Sequence, residues 1–237
     1  MHALKRTILV TGASSGIGLA VAEKLLQQGH TVLGIARRLN QILVEYSDFV
    51  PIAMDLTQLD VLTKKIKELQ LAYPTIDAVI FCAGKGQFGA IEQFSYEQID
   101  GLMTLNFTSQ VHITKALLPD LKRKSQSDLI YIGSEAALKG SRNGALYCAS
   151  KFALRGFTQA LREDCGKSNV RVSLINPGMV KTPFFDELSF EPGDHITNSI
   201  ASDDVAEAVI YVLNSSTNIV IDEINLSPLN KVFKFKT

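Results

Sequence analysis

The feature that most constrains this chain is a regular alternation of short apolar runs with longer stretches of helical periodicity. Thr7–Val10, Thr31–Ala36, Val50–Met54 and Ala78–Phe81 are the first four runs, and Leu129–Ile132, Arg171–Ile175 and Glu223–Leu226 follow. Each is of a length and composition that suits a buried strand. After the first run, Ile17, Ala20, Val21 and Leu25 share one helical face, and Gly29 is free to take the positive φ that closes a helix. Further helices are expected over about Gln58–Ala72, over Tyr96–Pro119, through Tyr147, and from a cap at Ser202 or Asp203 to about Leu213. Strands joined through helices run parallel, with right-handed crossovers and a sheet covered on both faces. The expectation is an α/β protein in which residues 1–237 form a single domain, without repeats or linkers.

Composition narrows the function classes. A length of 237 residues suits one large α/β domain and is short for two. With 46% hydrophobic and 20% charged residues the chain can bury a sizeable core. Lys plus Arg and Asp plus Glu are 24 each, which argues against a basic nucleic-acid surface or a polybasic membrane anchor. No apolar run approaches the length of a membrane-spanning helix. Cys82, Cys148 and Cys165 have neither zinc-site spacing nor a disulfide pattern, so no metal is expected and a reducing, cytoplasmic setting is the simplest reading.

Two stretches carry chemistry. Thr11-Gly12-Ala13-Ser14-Ser15-Gly16-Ile17-Gly18 lies between the first strand and the first helix. Glycines there let the backbone turn tightly and approach a pyrophosphate at a helix N-terminus, although an ordinary strand-to-helix connection could also be glycine-rich. The second stretch runs from Ser134 to Lys151. Tyr147 and Lys151 are four apart and share a helical face, while Ser134 follows a strand that would deliver its hydroxyl to the same mouth. An ammonium close to a phenol favours the phenolate and brings it within range of acid–base work. Taken alone, the spacing equally describes an amphipathic surface pair.

Taken together, Thr11-Gly12-x-x-x-Gly16-x-Gly18, Ser134 with Tyr147-x-x-x-Lys151, and Asn176-Pro177-Gly178 resemble the compact branch of the short-chain dehydrogenases/reductases. The resemblance spans essentially the whole chain and implies a Rossmann-type, doubly wound parallel sheet of about seven strands. It implies that Tyr147 is the proton donor and acceptor, that Ser134 bonds the substrate oxygen, and that Lys151 holds the nicotinamide ribose. Asn106 matches the asparagine of a water relay to the lysine. Gly12, Ser14, Ser15, Gly16, Ile17 and Gly18 correspond to the phosphate turn, Asp55 and Leu56 to the adenine contacts, and Cys82, Ala83 and Gly84 to the adenine-ribose side. Pro177, Gly178, Val180 and Thr182 correspond to the loop around the nicotinamide.

The cofactor can be argued from charge. At the end of the second strand stand Arg37 and Arg38, with no carboxylate to bind ribose hydroxyls. An arginine there accommodates a 2′-phosphate, so NADP(H) is expected over NAD(H). Cys82 departs from the asparagine usual in the family; some loss of sheet stability or a compensating water is expected, and no catalytic thiol. The implied reaction transfers hydride between nicotinamide and a small carbonyl or hydroxy compound. An NADP(H)-binding sensor or scaffold is the alternative, against which the complete Asn106, Ser134, Tyr147 and Lys151 set stands, since a binder needs no tuned phenol. Three phenylalanines within 183–190 suggest an apolar wall of the substrate pocket. By analogy with the family, a homodimer or homotetramer is expected.

Overall fold

A computed structural model of the protein describes residues 5–38 and 45–236. All seven apolar runs become strands of one parallel sheet. In chain order these are β1 (Thr7–Thr11), β2 (Thr31–Ala36), β3 (Phe49–Ala53), β4 (Ile76–Phe81), β5 (Ser127–Ile132), β6 (Val170–Pro177) and β8 (Glu223–Leu226). Their spatial order is β3-β2-β1-β4-β5-β6-β8, and every pairing is parallel. The central strands are buried along their length because helices cover both faces. Pro51 cannot donate to a ladder, and it sits on β3, an edge strand paired only with β2.

Helices α1 (Gly16–Gln27) and α6 (Ser202–Asn214) pack over one face. Helices α2 (Leu59–Ala72), α4 (Ser109–Leu121) and α5 (Ala145–Cys165) cover the other. Gly29 ends α1 with φ 82°, and the N–H groups of Gly29 and His30 return to the carbonyls of Leu26 and Leu25. The expected cap of α6 is displaced. Ala201 is the cap residue, Ser202 is already helical, and the carboxylate of Asp204 accepts the Ala201 N–H at 3.1 Å. An acid three residues into a helix closes its first turn as well as a capping hydroxyl would.

The expected helix over 96–119 is divided. It comprises α3 (Tyr96–Met103), a π-helical turn over Thr104–Thr108, and α4. A π turn inserts one residue into the ladder and loosens its carbonyls. Here side chains recover them, as Ser109 Oγ donates to the Leu105 carbonyl and Gln110 Nε2 to that of Asn106. The consequence is that Asn106 turns fully into the interior.

A second, smaller sheet was not legible in the sequence. Strands β7 (Phe190–Pro192) and β9 (Phe233–Phe235) pair antiparallel and bring the C-terminal segment back beside the loop that follows β6.

At the N-terminal edge of the main sheet a buried ion cluster ties three strands. Asp128 at the start of β5 is fully buried, with Arg171 Nε at 2.7 Å and Arg6 at 2.8 Å. Arg6 also meets Asp77 at 2.9 Å, and Arg171 donates to the carbonyls of Leu213 and Ser215. Removing the shared anion leaves the buried Arg171 without a carboxylate and Arg6 with Asp77 alone. Asp128→Ala is expected to lose about 3–5 kcal/mol of stability, read by denaturant unfolding.

Candidate active site

The C-terminal ends of parallel strands carry loops, and where the crossover direction reverses, between β1 and β4, those loops part into a crevice. One side of it is the glycine turn. Gly12 has φ 71°, and a Cβ there would stand 3.0 Å from the backbone of Ala83; a Cβ on Gly18 would stand 2.3 Å from the Gly12 carbonyl oxygen. The turn therefore packs backbone on backbone, and α1 begins without a side-chain cap and without an acid in its first turn. Such a helix end presents bare N–H groups to an anion. Arg37 and Arg38 are exposed at the end of β2. Asp55 accepts from the Thr57 N–H and hydroxyl, which hold it below the usual carboxylate range with smaller help from Arg37. Leu56 packs into the core, leaving only its backbone on this side.

Cys82 directly follows β4, where that strand pairs with β1. The Thr11 hydroxyl accepts from both Cys82 N–H and Ala83 N–H at 3.1 Å, bridging the strand ends. Lys151 is close to the thiol in space, yet burial dominates and pushes the Cys82 pKa up to about 12. It remains a thiol.

The other end of the crevice opens into a cavity of about 650 Å³. Ser134, Tyr147 and Lys151 line it together with Ile17, Cys82 and Gly84. Pro177, Gly178, Val180 and Thr182 form the opposite lip. Gly12, Ser14, Ser15, Gly16, Gly18, Arg37, Arg38, Asp55, Leu56 and Ala83 lie outside that cavity. Asn106 lies beneath it. Its side chain accepts from Lys85 N–H and donates to the Lys85 carbonyl and, at 3.2 Å, to Ser150 Oγ. Ser150 in turn donates to the Tyr147 carbonyl at 2.7 Å, so the π turn braces the helix turn that carries the phenol.

Tyr147 and Lys151 are both buried, on successive turns of α5, with the ammonium 5.9 Å from the ring centroid. The expected acidification of the phenol is not the balance reached in this structure. Burial raises the Tyr147 pKa to about 12, with the Ser134 hydroxyl opposing and Cys148 and Glu135 adding to the rise. Burial likewise lowers Lys151 to about 8, and its ammonium donates to the Ile132 carbonyl at 3.0 Å. Desolvation penalises the charged form of each group and is the largest cause of both shifts.

Ser134 is held by a residue that the motif contained but whose position only the fold explains. Asn176 Oδ1 accepts the Ser134 N–H at 3.3 Å, while its Nδ2 donates to Glu223 Oε1 and Asn225 Oδ1 on β8. The amide crosses Gly133 so closely that a Cβ there would stand 2.1 Å from Oδ1. The aromatic wall is larger than expected. Phe88 lies 5.0 Å from the Tyr147 ring and from Phe190, Phe184 lies 5.8 Å from Tyr147, and Phe233 lies 5.8 Å from Phe190. Glu135, Ser227, Lys231 and Phe233 also line the cavity. Three of these four lie beyond residue 226, where no local pattern signals a site. Among the described residues, no group of three or more His, Cys, Asp and Glu could hold a metal, and no helix is long and apolar enough to cross a membrane.

A parallel sheet ordered 3-2-1-4-5-6-8, with a glycine turn at its switch point and a buried serine, tyrosine and lysine beyond, defines a dinucleotide-dependent oxidoreductase fold. A family model for short chain dehydrogenase matches residues 6–192, and the chain belongs to that family. An uncharacterized oxidoreductase of Staphylococcus epidermidis is 30% identical over 229 residues, covering 95% of this chain and 98% of the relative. Serine dehydrogenase from Escherichia coli superposes with TM-score 0.80 at 25% identity, over 93% of this chain and 96% of its own. An alcohol dehydrogenase from the archaeon Thermococcus sibiricus, solved with 5-hydroxy-NADP, gives TM-score 0.84 at 25% identity over 94% and 96%.

Two outcomes follow. Gly133→Ala should displace the Asn176 amide and cost about 1–3 kcal/mol of stability, seen as a lowered urea midpoint. For Lys151 the folded pKa lies below the unfolded one, so the unfolded chain binds more protons between about pH 8 and 10.5. The burden of burying this cation is therefore full below pH 8 and fades as pH rises. Lys151→Met should gain roughly 3 kcal/mol at pH 7 and little near pH 10.5, measured by denaturation at both values.

Proposed function

We propose that the protein is an NADP(H)-dependent carbonyl reductase or alcohol dehydrogenase in which Tyr147 is the acid–base group. The observation that carries this reading is the burial of the Tyr147 phenol beside the Ser134 hydroxyl and the Lys151 ammonium, on one wall of the cavity. When bound, the nicotinamide supplies hydride to a carbonyl carbon or accepts it from an alcohol. Tyr147 then gives its proton to the substrate oxygen in reduction and recovers it in oxidation, while the Ser134 hydroxyl donates a hydrogen bond to that oxygen. A pKa raised to about 12 keeps Tyr147 protonated and ready to donate near neutrality. Lys151 holds the ribose and supplies positive charge near the phenolate as it forms. Asn106 and Ser150 keep that turn of α5 in place.

Arg37 and Arg38 support NADP(H), because an arginine at the end of β2 suits a 2′-phosphate and no carboxylate stands beside them in the sequence. The shared fold alone does not choose between cofactors or substrates. The aromatic wall of Phe88, Phe184 and Phe190 suits a small carbonyl or hydroxy compound with an apolar flank. Residues 1–237 are read as one domain with both sites, acting in the cytoplasm as a homodimer or homotetramer, which sedimentation would test. A sensor or scaffold without catalysis would gain nothing from burying an ionisable pair that costs stability.

A panel of ketones and secondary alcohols, followed by NADPH and NADH absorbance, tests the reaction directly. Tyr147→Phe should bind NADPH within about twofold of the unmodified enzyme and lose at least about 10²-fold in kcat. Full turnover in that variant would assign the proton to another group. Replacing Arg37 and Arg38 together with Ala should weaken NADPH binding by about 10-fold or more and leave NADH unchanged, by fluorescence titration.

A further inference from the structure

The rings around the cavity form a connected path that leads away from the Tyr147 phenol. Phe88 stands 5.0 Å from the Tyr147 ring and Phe184 stands 5.8 Å from it. Phe88 meets Phe190 edge-to-face at 5.0 Å and 83°, and Phe190 meets Phe233 at 5.8 Å and 66°. All four phenylalanines line the cavity, and none of them is fully buried. Rings that served only as core would be covered. Behind them Phe185 and Leu188 are buried and fill that role.

The path is set by backbone from three parts of the chain. A Cβ on Gly86 would stand 2.5 Å from Phe184 Cζ, so the bare backbone after β4 lets that ring lie against it. Phe233 comes from the C-terminal segment, which is held by contacts other than its ring. Asn230 N–H donates to the Thr197 carbonyl at 2.9 Å, Gly193 N–H donates to the Val232 carbonyl at 3.0 Å, and Lys234 meets Asp194 at 2.8 Å. The β7–β9 ladder then sets Phe233 opposite Pro192 and Phe235 opposite Phe190. Phe233 is nevertheless 48% exposed.

Charges at this end of the cavity are paired with each other. Glu135 takes the Lys231 ammonium at 2.7 Å, and that ammonium lies 5.4 Å from the Phe233 ring centroid. Lys85 and Lys139 also line the cavity, but both are exposed, and an ammonium in water adds little to the binding of an anion. An uncharged group therefore suits the ring path better than a carboxylate.

We propose that Phe233 is a specificity-determining residue: with Phe88, Phe184 and Phe190 it forms a subsite for an uncharged aryl group, so that the substrate is an aryl ketone or the corresponding secondary alcohol. The inference rests on the carbonyl reductase or alcohol dehydrogenase reading and names the substrate class for it. Ring faces and edges carry opposite partial charge, so an aryl group packed on such rings binds about 2- to 10-fold better than a saturated group of equal size.

The test compares acetophenone, cyclohexyl methyl ketone and butanone at saturating reduced cofactor. Intrinsic reactivity differs among the three and cancels when their ratios are compared between a variant and the unmodified protein. Phe233→Ala should lower the acetophenone-to-butanone ratio of kcat/KM by about 5- to 10-fold. Phe233→Leu keeps an apolar side chain on the strand, and it should lower the acetophenone-to-cyclohexyl methyl ketone ratio by about 2- to 5-fold. Phe233→Tyr should restore both ratios. Unmoved ratios would overturn the proposal and leave Phe233 as part of the tail only. The leucine and tyrosine variants keep the test decisive if the alanine variant loosens the tail. A second measurement needs no turnover: fluorine NMR follows binding of 4-fluoroacetophenone to protein loaded with the oxidised cofactor, which has no hydride to give. Binding weakened by about 5-fold or more in Phe233→Ala is expected, and absence of binding to the unmodified protein would overturn the subsite. Phe233-dependent binding without turnover of any ketone or alcohol would retain the subsite and reject the reductase reading, whereas turnover with unmoved ratios would do the reverse.

Discussion

Desolvation of a phenol and an ammonium one helical turn apart is the constraint around which the rest of the crevice is arranged. Both groups are removed from water on α5, and each then resists its charged form. A pair of this kind does not of itself stabilise a fold, because the buried ammonium loses its hydration. It persists where the neighbouring structure holds it. The Ile132 carbonyl takes a hydrogen bond from the ammonium, and the Ser134 hydroxyl is aimed at the phenol.

The supports of that pair form two layers. Beneath it, an irregular π turn directs Asn106 inward, and its amide reaches Ser150 and so the backbone of Tyr147 itself. Beside it, Asn176 links the Ser134 N–H to β8, where Glu223 also receives Arg155 from α5 at 2.7 Å. Gly133 leaves room for that amide, so an absent side chain governs where the Ser134 hydroxyl stands. The same economy operates at the glycine turn, where Gly12 and Gly18 bring backbone against backbone beside the expected phosphate site.

The mouth is built differently. Its aromatic wall draws on the segment after β4, the loop after β6 and the last few residues of the chain, and the β7–β9 pairing holds these together. Because that ribbon is short and lies at the edge of the molecule, its shape can vary without disturbing the main sheet. The aromatic mouth is separated in this way from the Ser134, Tyr147 and Lys151 group, which rests on long buried elements.

The sequence by itself determined the alternation of strands and helices, the glycine turn, the arginine pair after β2 and the Ser134, Tyr147 and Lys151 constellation. These are encoded locally, in hydrophobic period, in glycine placement and in spacing along one helix, so they need no knowledge of distant partners. Tertiary structure alone decided the electrostatic balance. That Tyr147 is pushed up and not down depends on how completely water is excluded, which is a property of every element packed around it. The π turn, the Thr11 bridge to the Cys82 and Ala83 N–H groups, the reach of Asn176 and the return of Lys231 to Glu135 were likewise invisible. Each depends on contacts between residues far apart in the chain, and a one-dimensional pattern carries no record of such distances.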